Sequence, residues 1–156
     1  MKGNKKVVDV LNQVLRKELT GINQYFIHSM MCKNWHYNKL ASHSHEESIE
    51  EMKHAQELIE RILYLEGVPN MQRYFKIQVG QTVPEQHRFD LEVERNAVAR
   101  LNAGLEACRA KGDNGSRLLL EKILKEEEEH IDWLEAQLGQ IEEIGLPNYL
   151  AQQIEG

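Results

Sequence analysis

Apolar residues recur at three- and four-residue spacing in four long stretches rich in Leu, Glu, Lys, Gln and Ala, and little in the chain competes with them as a strand signal. The pattern predicts helices over about 4–34, 39–65, 82–111 and 114–144, with a short fifth at about 148–154. All three prolines, Pro69, Pro84 and Pro147, fall where the periodicity breaks. Thr82-Val83-Pro84-Glu85 reads as a capping box. Gly112-Asp113-Asn114-Gly115 supplies a left-handed helix end and a turn. Short loops after the first and third helices imply two antiparallel hairpins, whereas 66–81, EGVPNMQRYFKIQVGQ, is long enough to run the height of a bundle. Its Met71, Tyr74, Phe75 and Ile77 are expected to pack along the bundle, with a docking surface as the alternative. The expected architecture is therefore all-α: one domain over 1–156, a four-helix bundle with one long crossover and a short C-terminal helix.

The stripes are interrupted in a regular way. The first runs Leu11, Leu15, Glu18, Ile22 and Tyr25 or Phe26, and the third Leu91, Glu94, Val98, Leu101 and Leu105. In the second, Glu51 and His54 precede Leu58, Ile62 and Leu65; in the fourth, Glu127 and His130 lie between Ile123 and Leu134. Glu-x-x-His thus occurs twice, each time with its two side chains on one helix face. A lone copy reads as a solvated charged face. Here Glu18 precedes Glu51 by 33 residues and Glu94 precedes Glu127 by 33, so the whole set recurs after 76, as two hairpins related by a pseudo-twofold axis would produce.

Six ionisable groups then face inward, and no Lys or Arg is expected on the stripes beside them. Four uncompensated buried carboxylates would cost several kcal/mol each, so protonation, pairing or metal must neutralise them. Two divalent ions balance four carboxylates, and two imidazoles complete the ligands. Oxygen donors able to bridge suit a pair of iron or manganese ions; a structural zinc would draw on Cys and His. One Glu from each of two helices plus Glu-x-x-His from each of the other two is the arrangement of di-metal carboxylate bundles.

Composition narrows the partners. The net charge is -6, and no Lys/Arg stripe interleaved with aromatics appears, which disfavours nucleic acid and suits cations as cargo. No segment approaches the roughly 18 apolar residues of a membrane span, and no apolar signal region follows the N-terminal lysines. Cys32 and Cys108 form no close-spaced motif, so a reduced cytoplasmic setting is expected.

The chain resembles bacterioferritin over essentially its whole length, through MKG, ELTGINQYFIHS, ESIEEMKHA, ERILYLEGVPN, LEVE around Glu94, EEEEHIDWLE and IGLPNYL. The resemblance implies a ferritin-like fold and a ferroxidase that oxidises Fe(II) with dioxygen or hydrogen peroxide and stores ferric mineral in a shell of twenty-four subunits. Glu18 and His54 would hold one iron of a di-iron centre, Glu94 and His130 the other, and Glu51 and Glu127 would bridge. Tyr25 matches a tyrosine beside that centre, or is simply a core aromatic. The alternative is a haem-binding shell subunit with a mainly structural role in a mixed cage.

Met52 sits between Glu51 and His54 but turns about 100 degrees away from Glu51, so it belongs to the outer face. Alone it reads as a packing residue. The resemblance makes it an axial ligand to a haem of the b type, one per subunit dimer, a role that suits a soft thioether. It also implies a homo-oligomer, or a mixed shell with a second bacterioferritin subunit, and a bacterioferritin-associated ferredoxin that docks near Val68, Pro69, Asn70, Met71, Lys76 and Ile77. Where some relatives carry a histidine and an aspartate facing the cavity, this chain has Glu46 and Glu50. His43 and His45 are expected to be solvated or interfacial, and Glu47 to support the centre or face the cavity.

Overall fold

The computed structural model describes residues 1–155. Its elements are α1 (Lys5–Asn34), α2 (Asn38–Tyr64), α3 (Val83–Ala110), α4 (Asn114–Ile144) and α5 (Leu146–Ala151), with no strand among the described residues. α1 packs on α2 and α3 on α4, α1 and α3 are neighbours, and α2 and α4 touch only sparsely. The result is the expected four-helix bundle, with α5 folded back on its end.

Local chemistry sets the ends. The Asn4 side chain accepts from the Lys6 amide, Thr82 from that of Glu85, and Asp113 from that of Ser116. The Glu85 carboxylate reaches back to the Gln81 amide at 2.8 Å, completing a variant of the capping box. The four long helices lie within a residue or so of their expected bounds. The fifth begins at Leu146, ahead of the expected start, because Pro147 occupies its first turn, where a missing N–H costs nothing.

The crossover is held in a way the apolar pattern did not suggest. Polar side chains at every fourth residue of α1 tie down its backbone. Asn12 accepts from the Asn70 amide at 2.8 Å and donates to Val68 O at 3.1 Å, and Arg16 donates to Tyr74 O at 3.3 Å. Thr20 accepts from the Phe75 amide at 2.8 Å, Gln24 from Gln78 at 3.1 Å, and His28 Nε2 from Gly80 at 2.9 Å. A non-helical segment without a sheet partner thereby satisfies several of its backbone groups against one row of a helix. Gly80 permits this closeness: a Cβ there would lie 2.4 Å from the Gln86 nitrogen. The expectation that the crossover's apolar side chains pack down is corrected, since Val68, Met71, Tyr74 and Ile77 stay exposed. Phe75 is half-buried between the guanidinium groups of Arg16 and Arg100, which lie 4.1 and 3.9 Å from its ring centre.

The core is split into two. At one end Leu11, Leu15, Leu58, Ile62, Leu101, Leu120 and Ile123 form the larger cluster; at the other, Cys32, Leu40, Val83 and Tyr149 pack with Trp35, Trp133 and Leu146. Between them lies a layer of buried polar residues contributed by all four long helices. That layer is the candidate site.

Candidate metal centre

All six inward-facing groups are buried: Glu18 and Glu94 are 0 % exposed, Glu51 and Glu127 2 %, His54 3 % and His130 5 %. Each helix brings its contribution through the i, i+3 and i, i+4 spacing that put charge into its apolar stripe. Two groups of potential ligand atoms result: Glu18, Glu51, His54 and Glu127 in one, and Glu94, Glu127 and His130 in the other, all within 4.8 Å of one another inside each group. Glu127 belongs to both, and Glu51 to the first only. His54 Nδ1 lies 3.3 Å from Glu18 Oε2, and His130 Nδ1 lies 3.5 Å from Glu94 Oε1.

The donor set suits metal. Glu18 Oε1, Glu51 Oε2, Glu94 Oε2, Glu127 Oε1 and His130 Nδ1 are buried without a hydrogen-bond partner, an expensive arrangement in a purely structural layer. Five such atoms converging from four helices fit a pair of hard cations of the iron or manganese kind.

One expectation is overturned. A lysine does lie within the layer: Lys17, 2 % exposed, places its Nζ 2.7 Å from Glu51 Oε1, 3.0 Å from Glu127 Oε2, 3.1 Å from Glu94 Oε2 and 3.9 Å from Glu18 Oε1. The apolar stripe that carries Glu18, from Leu11 and Leu15 to Ile22, does not include position 17. By position it belongs with Val14 and Gly21, three residues before it and four after, on a row that is buried throughout. Gly21 is the second signal in that row, because a Cβ there would meet the Glu51 carboxyl carbon at 2.9 Å. Its absence lets α2 bring Glu51 against α1.

The electrostatics follow. Burial opposes the Lys17 charge, but Glu127, Glu18 and Glu94 outweigh it and raise the ammonium's pKa. Burial also opposes ionisation of Glu94, yet the Lys17 charge, with Glu127 and His130 close by, holds its carboxyl well below the usual range. Burial, reinforced by the Glu94 charge, pushes Glu127 well above it. Burial disfavours the His54 cation, but the carboxylates of Glu127 and Glu18 beside it prevail and raise its pKa to about 11. The layer therefore behaves as one coupled unit.

The surroundings differ in part from expectation. Tyr25 is fully buried beside the layer, where its hydroxyl donates to Glu94 and its ring lies 5.3 Å from that of His130. Glu47 Oε2 lies 3.4 Å from His130 Nδ1. His43 is half-buried at the cleft: its ring stacks on Trp133 at 3.4 Å, and burial, with His130 and His87 adding to it, lowers its pKa to about 3. His43, Glu47 and His130 form a further candidate group of metal ligands, as do Glu50, His54 and Glu126. His45, Glu46 and Glu50 are exposed.

Where α2 and α4 diverge, a cavity of about 400 Å³ opens onto the layer, lined by residues of these two helices alone, among them His43, Glu50, Glu51, Glu127, Glu129 and Trp133. Its acidic lining gives cations a path inward. Met52 projects away from all of this and is 53 % exposed, in company with the exposed Phe26, Met30 and Ile49 of α1 and α2. Cys32 and Cys108 are free and buried.

Four helices joined by one long crossover around a carboxylate and histidine layer define the ferritin-like class, and the family model of the ferritin-like domain matches residues 8–144. The chain is 48% identical over 152 residues to a bacterioferritin of Mycobacterium tuberculosis, covering 97% of this chain and 96% of the relative. It is 47% identical over 155 residues to a bacterioferritin of Streptomyces coelicolor (99% and 93% covered) and 46% identical over 155 to a bacterial ferritin of Synechocystis (99% of each). The chain belongs to the bacterioferritins, within the ferritin-like family.

Proposed function

We propose that the protein stores and detoxifies iron: it is a ferroxidase that oxidises Fe(II) at a paired centre inside each subunit and retains the Fe(III) as mineral in a shell of twenty-four subunits. The observation that carries this reading is the convergence of four buried carboxylates and two imidazoles, with five of their donor atoms lacking a hydrogen bond. Glu18 and His54 would hold one iron and Glu94 and His130 the other, with Glu51 and Glu127 bridging. The pair supplies two electrons to dioxygen or hydrogen peroxide when Fe(II) is bound. The protein's own part is geometric and electrostatic. Four carboxylates favour the more highly charged oxidised ions, Tyr25 orients Glu94 through its hydroxyl, and the acidic cleft between α2 and α4 draws in the cation.

Rapid mixing with Fe(II) in air tests it, alongside sizing of the particle. Fast oxidation in a large iron-retaining particle, slowed at least ~10²-fold in Glu94→Ala and His130→Ala, supports the centre. Equal rates in all three proteins would refute it.

Haem of the b type is proposed at subunit dimer interfaces, one per dimer, with Met52 of each partner as axial ligand. An exposed thioether among exposed apolar side chains of α1 and α2 fits a ligand that an interface would cover. Haem-reconstituted protein should lose its low-spin spectrum in Met52→Leu. Sizing with mass spectrometry of the purified particle distinguishes a shell of one chain type from a mixed shell with a second bacterioferritin subunit. A small ferredoxin is the proposed electron donor for iron release, and the exposed Val68, Met71 and Ile77 of the crossover offer it an apolar contact. Two buried free thiols accord with a cytoplasmic setting. The second reading, a haem-binding subunit with mainly structural work, is the one favoured if the Glu94 and His130 variants match the wild type.

A further inference from the structure

Lys17 has no part in the chemistry just described, yet it lies at the heart of the layer. We propose that Lys17 is a built-in counter-cation of the metal centre: its ammonium neutralises the carboxylates when no metal is bound, and entering divalent ions displace it. The proposal rests on the metal-centre reading above and adds a competitor to it.

The geometry is that of a shared cation position. Nζ lies within 3.9 Å of oxygens from all four carboxylates, three of them at 3.1 Å or less. Two of those oxygens, Glu18 Oε1 and Glu94 Oε2, are also among the donor atoms left without a hydrogen bond, so a cation bound there competes with the ammonium for the same space. Charge gives the same answer: two divalent ions already balance four carboxylates, so a retained ammonium would leave a buried excess of positive charge with nothing to offset it. Lys17 also has somewhere to go. It lines a second cavity of about 210 Å³ on the side of the bundle away from the α2–α4 cleft, bounded by α1, α3 and the crossover. Glu92 stands there as an alternative partner, while Lys76 and Arg100 in the same lining favour a retreat to the Glu92 side. Rotation of a four-carbon stem suffices, and the backbone of α1 need not move.

Two effects of opposite direction follow. A neutral side chain at 17 removes a competitor and tightens metal binding, while it leaves the carboxylates uncompensated without metal and weakens that form of the protein. A lysine that merely holds the bundle together would give the second effect without the first.

Co(II), which resists oxidation by air in such sites, is the probe, titrated calorimetrically into the assembled, chelator-treated protein. Lys17→Met and Lys17→Gln should bind the paired Co(II) ions at least ~10-fold more tightly than wild type. Their metal-free forms should melt several degrees lower. If wild type binds the pair and Glu94→Ala does not, but both Lys17 variants bind with unchanged or weaker affinity, the lysine proposal alone is overturned. If wild type binds no Co(II) that Glu94→Ala abolishes, the centre itself is refuted, and this proposal with it. Should the variants fail to fold without metal, wild type provides the test through acetylation of Lys17 followed by mass spectrometry. Modification should rise at least ~5-fold on adding Co(II), because a side chain displaced from the buried layer into the second cavity is easier for the reagent to reach; an unchanged rate would overturn the proposal.

Discussion

Gly21 shows how much of the centre is set by a residue without a side chain. Alanine there would place a methyl 2.9 Å from the Glu51 carboxyl carbon, and Glu51 is held on its other side by Lys17 at 2.7 Å. The gain in helix propensity, about 1 kcal/mol, offsets a packing penalty of about 1–3 kcal/mol, so Gly21→Ala should change the melting temperature little. Its effect should fall on Glu51, weakening Co(II) binding by about 10-fold; calorimetry on the variant checks this. A second residue sets a pH dependence. His87 is buried, donates from Nε2 to the Tyr149 hydroxyl at 3.0 Å, and that hydroxyl donates to Gln137 at 2.6 Å. Burial lowers its pKa to about 4, helped by His28 and His130 and opposed by Asp90. The unfolded chain, with an ordinary histidine, takes up the proton first, so this contribution to stability is complete above about pH 6.5 and is lost as pH falls toward 4. From pH 7 to 5 the loss is about 2 kcal/mol, and the fall in melting temperature over that interval should be smaller in His87→Gln.

At the scale of elements, the crossover is held by the row Asn12, Arg16, Thr20, Gln24 and His28, and its strength can be measured one rung at a time. Thr20→Val keeps the shape but removes the acceptor of the Phe75 amide, at a cost of about 1–3 kcal/mol. The Phe75 amide should then exchange with deuterium about 10-fold faster, while amides in the middle of α2 keep their protection. This row also shows where sequence reading stops. The long helices were legible because their apolar period, caps and turns agree, and Glu18, Glu51, His54, Glu94, Glu127 and His130 were legible as charges out of place in apolar stripes. The five polar residues on α1 looked like an ordinary wet face, because nothing in their spelling says that the crossover will lie on them. Lys17 stayed hidden for a related reason: long aliphatic stems carry charge to the surface or to the core, and only the neighbouring small and apolar residues, Val14 and Gly21, distinguish the two. His43 was read as solvated because its partner, Trp133, is 90 residues away in sequence.

For the whole molecule, the polar layer is a tax on folding that the two flanking apolar clusters must offset. Among the described residues seven buried side-chain atoms lack hydrogen-bond partners, and five of them are on the proposed ligands, which is stability given up where the proposed cations would be held. The net charge of -6 and the acidic cleft between α2 and α4 favour cations near that layer, and apolar residues on α1 and α2 are exposed, as a face covered by neighbouring subunits would require. These features converge on one claim, that two metal ions sit side by side among four carboxylates and two histidines. Anomalous diffraction from crystals soaked anaerobically with Fe(II) tests it most directly. The account predicts two iron peaks roughly 3.5–4 Å apart, one beside Glu18 and His54 and the other beside Glu94 and His130, with Glu51 and Glu127 between them. Iron found only at the cleft mouth, at His43 and Glu47, with Lys17 still bound to its carboxylates, would contradict it.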